Sequence, residues 1–194
     1  MTELNPQTFD IDDWLEDANL PEESADIYKR PDVIGKLTRL KTRIEEERHA
    51  ARLNPERTAA DKAQAKALEG QYEALLRTFS ESRMTVYVRA LTPDEMAALR
   101  NSHEKRTEGW DPTKANRAFG YDILAAAITA VQPEGQERQN VTLTVAKVKQ
   151  LENKIGTAQL SEILAARQTA QNAVPAVDAD FLLRPSGTSE GSPE

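Results

Sequence analysis

Three aspartates within four residues, Asp10, Asp12 and Asp13, are the first side chains along the chain that could hold a cation. A calcium loop of the EF-hand kind also needs an oxygen ligand at its fifth position and a glycine for the sharp turn at its sixth. Trp14 and Leu15 stand at those places, so no calcium site is expected. The absence of cysteine removes thiolate nucleophiles, thiolate metal sites and disulfides together. The two histidines give general-base or zinc chemistry little to build on. His49 lies among charged residues and His103 near an expected helix end. The scattered glycines (35, 70, 109, 120, 135, 156, 187 and 191) make neither G-x-G-x-x-G nor a phosphate-binding loop. Pro185–Ser186–Gly187–Thr188–Ser189 is not a nucleophile elbow, and a terminal tail gives no rigid oxyanion hole. Around Glu45–Glu46–Glu47 stand the cations Arg39, Lys41, Arg43, Arg48 and Arg52, so the signs are interleaved, and no aromatic residue lies among them. That pattern fits a solvated helix face better than a nucleic-acid contact, which needs one sign of charge and stacking rings. No catalytic, cofactor-binding or metal-binding residue is expected, and the chain reads as a binding protein that is not an enzyme.

Composition points the same way. Leu, Ile, Val and Phe make up about a fifth of the 194 residues, near the level at which packed cores become hard to build. Part of the chain should therefore fold around a modest core while part stays extended or solvated. The net charge of −7 is concentrated at one end. Residues 1–28 hold nine acidic side chains and no basic one, so the remainder sums to +2. Met1 to Asp17 lacks the basic and apolar stretches of an export signal, and the run Ile123–Ile128 is far shorter than the ~20 residues that span a bilayer. A cytoplasmic protein with no membrane partner is the expectation.

The elements that would position a binding surface follow from periodicity. Residues 1–30 form an acidic arm, partly extended. Phe9, Ile11, Trp14, Leu15 and Leu20 sit among its carboxylates as apolar anchors, for docking on its own body or a partner, unless the arm is a disordered tail. Pro31 and Asp32 suit a helix start. Val33, Leu37, Leu40 and Ile44 then recur at helical spacing, and after Asn54–Pro55 so do Ala65, Leu68, Tyr72, Leu75 and Phe79. A charged helical hairpin is expected over 31–79, antiparallel, rooted at its open end and polar at its tip. A helical domain follows over 85–172, opening on a short strand at 85–91 whose partner could be the arm, residues 140–145 or another subunit. Thr92–Pro93–Asp94–Glu95 reads as a capping box. Phe119, Ile123, Leu124, Ala127, Ile128 and Val131 predict one helix running to Pro133, and Val145, Val148, Leu151 and Ile155 another, closed by Gly156. Thr157 restarts a helix to about Asn172, and 173–194 is a flexible tail rich in Pro, Gly and Ser. The expected fold class is mainly α: an antiparallel helical hairpin plus a small multi-helix C-terminal domain with one or two short β-strands.

The order of these features resembles the tail assembly chaperones of long-tailed (siphovirus-type) phages that infect actinobacteria. Phe9–Asp10–Ile11–Asp12, Leu20–Pro21–Glu22 and Tyr28–Lys29–Arg30–Pro31–Asp32 look like that family's opening segment. Val86–Tyr87–Val88–Arg89–Ala90–Leu91–Thr92, leading to Leu99 and His103, is similar to its strand-then-helix passage. Asn116 with Phe119, Val148 with Leu151, and Leu160 to Asn172 follow in the family's order. Near the end, Val177–Asp178–Ala179–Asp180–Phe181 matches in part: Asp180 replaces the family's proline and Leu182 its serine. The resemblance implies a chaperone that binds and solubilises the tape measure protein and promotes tail tube polymerisation around it. It implies action in the host cytoplasm during assembly, absence from the mature virion, and often a longer frameshifted form. The major tail tube protein and other copies of the chain are the further partners expected. Phe9, Ile11, Trp14, Leu15, Phe181 and Leu182 are the candidate partner-binding residues. The alternative is a minor structural tail protein retained in the virion.

Overall fold

The computed structural model describes residues 10–16, 18–54, 56 and 58–173. They form a mainly helical protein with a small antiparallel four-stranded sheet. A short helix α1 (Ile11–Glu16) precedes strand β1 (Glu22–Tyr28) and a 3-10 turn (Pro31–Val33). Two long helices come next, α2 (Ile34–Leu53) and α3 (Ala59–Ser80), then β2 (Arg83–Arg89). The remainder is α4 (Pro93–Thr107), α5 (Pro112–Ala127), β3 (Ile128–Pro133), β4 (Gln139–Asn140), α6 (Val145–Ile155) and α7 (Thr157–Asn172).

Helix starts are set by local chemistry. Thr92 accepts from the Glu95 backbone N–H while Glu95 accepts from that of Thr92, the reciprocal box its sequence predicts. Thr58 and Asp61 make a second such box at α3. Asp111 caps α5 ahead of Pro112, and Thr144 caps α6 by accepting from Lys147 N–H. Gly156 ends α6 and opens α7 at φ +87°, a backbone region that side-chain-bearing residues rarely adopt.

The sheet runs in the order β1-β2-β3-β4. β2 pairs the acidic arm on one side, with Ala25 opposite Val86 and Tyr28 opposite Arg83, and β3 on the other, with Val86 opposite Val131. Two sequence expectations are corrected here. The helix that begins at Pro112 stops at Ala127, and Ile128–Pro133 is a strand, although Val131 continues the helical spacing from Ala127. Ile128, Thr129 and Val131 are β-branched and fit a pleated surface, and pairing with the free edge of β2 outweighs four more residues of helix. The sheet therefore has four strands rather than one or two. At 140–145, regular pairing covers Gln139–Asn140, the Val141 N–H extends the ladder to Thr129 O at 2.8 Å, and Thr144 already caps the next helix.

One sheet face is apolar and covered. Ile27, Val86, Val88 and Ile128 pack with Tyr121 and Leu124 of α5, Val148 and Ile155 of α6, and Leu160 and Ile163 of α7. Each such side chain removed from water contributes about 1.5–3 kcal/mol, which is what holds the three helices on the sheet. α7 is pinned further by two side-chain amides. Gln159 Nε2 donates to Tyr28 O at 3.1 Å and its Oε1 accepts from Tyr28 N–H at 2.5 Å. Gln171 meets both backbone groups of Leu91 in the same way. The edge strand β1 carries Glu22, Glu23 and Asp26, charges that discourage an unwanted strand from pairing there.

Candidate functional site

Two buried polar clusters lie among the helices. In the first, Asp122 of α5, 6 % exposed, accepts from His103 Nδ1 at 2.9 Å and from Arg106 Nη2, and the His103 ring lies 4.9 Å from that of Phe119. The second joins α5 to α6. Glu152, 5 % exposed, accepts from the Tyr121 hydroxyl, from Arg117 Nη2 at 2.9 Å and from Thr157 Oγ1 at 3.0 Å. Burial alone would push the Glu152 carboxyl up. The donors Tyr121, Arg117 and Thr157 outweigh it and hold Glu152 below the usual carboxylate range. Burial and the Glu152 charge push the Tyr121 hydroxyl up. In both clusters the carboxylate is satisfied by donors from neighbouring helices, which is how a buried charge joins helices together. Among the described residues no group of three or more His, Asp or Glu is placed to hold a metal ion.

A third polar network lies on the uncovered sheet face. Arg138 stands 2.7 Å from Glu22 and 4.2 Å above the Tyr87 ring, and Thr129 Oγ1 donates to Glu22 at 2.5 Å. Burial opposes ionisation of Glu22, but the Arg138 and Thr129 hydrogen bonds prevail and lower it. These contacts tie the β3–β4 turn across the sheet to the arm.

Two apolar features stand outside these networks. The first is the pair α2 and α3. They pack on one another, with Ile44 and Leu68 buried between them and Arg48 Nη2 2.9 Å from Glu69 Oε1. Each has a single buried side chain, while Ile34, Leu53 and Leu76 are exposed. The pair joins the body at its base, where the Tyr28 and Phe79 rings stack at 4.2 Å and Lys29 N–H donates to Ser82 O at 3.1 Å. The second surface is a groove of about 360 Å³ between the sheet and α6. Met84, Val86, Val131, Val141, Leu143 and Leu151 line it, and Lys147, Gln150 and Lys154 form its rim. No carboxylate lines it.

Of the sequence-predicted partner residues, Ile11, Trp14 and Leu15 fall within the described residues. Ile11 and Leu15 lie on α1, 52 % and 50 % exposed. Trp14 belongs to the same helix. Phe9, Phe181 and Leu182 lie outside the described residues. The groove escaped sequence reading because Val131 reaches it from a strand that reads as helix. Val86 in the expected strand and Leu151 in the expected helical stripe were legible, but not that they line one groove.

Among the described residues the fold is mainly helical, with exposed apolar side chains on α2 and α3, an apolar groove between the sheet and α6, and two buried polar clusters that join its helices. No family model, curated protein or solved structure matches the chain. No helix among the described residues is long and apolar enough to cross a membrane.

Proposed function

We propose that this protein is a phage tail assembly chaperone that binds and solubilises the tape measure protein and promotes tail tube polymerisation around it. The observation that carries this reading is the α2–α3 pair. These two helices of 20 and 22 residues bury one side chain apiece and leave Ile34, Leu53 and Leu76 in solvent. A long helical client exposes apolar stripes that would otherwise self-associate. In this reading α2 and α3 form an antiparallel hairpin, and the client helix lies along it as a third helix. The cations Lys36, Arg39, Lys41 and Arg43 and the acids Glu45, Glu46 and Glu47 supply the flanking charges such seams use. The acidic arm adds charge that opposes clumping, and modest affinity spread over many copies permits release when tube subunits arrive. Action in the host cytoplasm, with loss of the chaperone before the virion matures, belongs to the same reading.

The test is co-expression with the tape measure protein. Soluble client should rise several-fold with the full chain, and Ile34→Asp/Leu76→Asp should remove that gain without unfolding the chaperone. Equal client insolubility with and without this protein refutes the reading, and stoichiometric presence in purified virions favours a minor structural tail protein instead.

A further inference from the structure

The sheet–α6 groove and the short helix α1 are complementary, and neither has an occupant within the described chain. The groove wall is apolar, its charged rim is Lys147 and Lys154, and it holds no acid. α1 presents Ile11 and Leu15 half-exposed, four residues apart and so on one helix face. Its acids, Asp10, Asp12, Asp13, Glu16 and Asp17, fall within eight residues, and no basic residue precedes Lys29.

We propose that the groove receives the Ile11–Glu16 helix of a second copy of this chain, in a reciprocal exchange that pairs two copies.

Geometry favours a second copy over the chain's own arm. Pro21 O accepts from Ala90 N–H at 2.8 Å, which fixes where the arm leaves the sheet. In its own chain α1 does not line the groove, and Ile11 and Leu15 stand half-exposed. An arm arriving from another molecule brings the same helix without the tether at Pro21. A two-fold arrangement also satisfies both arms and both grooves at once, so the contact closes at two copies and does not propagate. Lysine against carboxylate at the rim sets the direction in which the helix lies, and Ile11 and Leu15 supply the buried contact. The contact stands independently of any tape measure client and is tested without one.

Sedimentation velocity of the full-length chain over a hundredfold concentration range reads the association. A reversible monomer–dimer equilibrium is expected. Ile11→Asp/Leu15→Asp should weaken it at least tenfold with unchanged circular dichroism, because both side chains lie outside the core. Lys147→Glu/Lys154→Glu should weaken it by a similar factor, and adding Asp12→Lys/Glu16→Lys to that variant should recover most of the loss. A monomer throughout, a dimer indifferent to the arm substitutions, or a dimer lost on truncation after Ala173 with the arm intact would each overturn the proposal.

Discussion

Gln171 holds Leu91 by both of its backbone groups: the Leu91 N–H donates to Gln171 Oε1 at 3.1 Å, and Gln171 Nε2 donates to the Leu91 carbonyl at 3.2 Å. Leu91 is 1 % exposed and lies just past the end of β2, where no strand partner serves these groups. Replacing Gln171 with Leu leaves a buried donor and acceptor unmet, at a cost of about 1–3 kcal/mol. Gln171→Glu should cost less than Leu, since a carboxylate still accepts from the Leu91 N–H while losing its donor. Urea unfolding of the two variants checks the order, and equal stability of Gln171→Leu and the parent chain would show the amide to be idle.

Leu124 is fully buried at the centre of the core cluster. Leu124→Ala should destabilise the protein by about 2–5 kcal/mol, the span depending on how far α5 and α7 collapse into the space. In a chain with so modest an apolar content, that loss is a large share of the 5–15 kcal/mol typical of a domain. Thermal denaturation should show it as a large drop in Tm.

Acid stability depends on glutamates held below their ordinary values, Glu95 and Glu152 among them. The Arg89 guanidinium, with the Thr92 backbone N–H, holds Glu95 down at about 2, and Glu152 is also held below its ordinary value. Unfolded glutamates titrate near about 4.3. The stability these groups contribute is therefore present above that value and is lost as pH falls toward their folded values. The urea midpoint should stay level from neutral pH down to about 5 and then decline. Glu152→Gln should lower the midpoint at pH 7 and flatten the decline. An unchanged acid slope in Glu152→Gln would mean that Glu152 titrates alike in both states.

Arg167 of α7 is 7 % exposed, and burial pushes its guanidinium down. Its Nη2 donates to Gln171 Oε1 at 2.7 Å and meets Met96 Sδ at 3.3 Å, while its Nε has no hydrogen-bond partner among the described residues. A buried charge with an unmet donor costs more than an apolar side chain of similar length. Arg167→Met should leave stability unchanged or raise it by about 1–2 kcal/mol, and Arg167→Ala, which opens a cavity, should lower it. Calorimetry of both variants separates charge from volume.

The stacked rings of Tyr28 and Phe79 join the α2–α3 pair to the sheet. Phe79→Ala removes that stack, worth about 0.5–1.5 kcal/mol beyond the buried area. Hydrogen exchange should quicken in α2 and α3 while β2, α5 and α7 keep their protection.

Local signals carried most of the helical outline. The Thr92–Glu95 box, the Gly156 junction and the stripe Val145, Val148, Leu151 and Ile155 are each written within a dozen residues, and each stands in the structure where its residues place it. β3 was not legible because its evidence is not local. Ile128, Thr129 and Val131 satisfy a helix and a strand equally until β2 is present to pair with them. The arm's strand was half legible. The arm was expected to be partly extended and was one of the partners open to the strand at 85–91; it is the pairing of Ala25 with Val86 and of Ile27 with Met84 that makes Glu22–Tyr28 a strand. The groove inherits both difficulties, since its walls come from β2, β3 and α6. Gln159 and Gln171 show why polar ties escape sequence reading: glutamine is common on helices, and nothing in its neighbours announces a backbone partner across the fold.

The bond between Lys29 and Ser82 also bears on how fast the chain finds its structure. β1 and β2 are neighbours in the sheet, yet residues 29–82 lie between them. Closing so long a loop from the random coil costs about 2 kcal/mol more than closing a tight turn. The two helices formed by that stretch assemble from contacts near in sequence, the kind that arise early in folding. Once they stand side by side, Tyr28 and Arg83 are already adjacent, and a remote strand pairing proceeds with the kinetics of a local one.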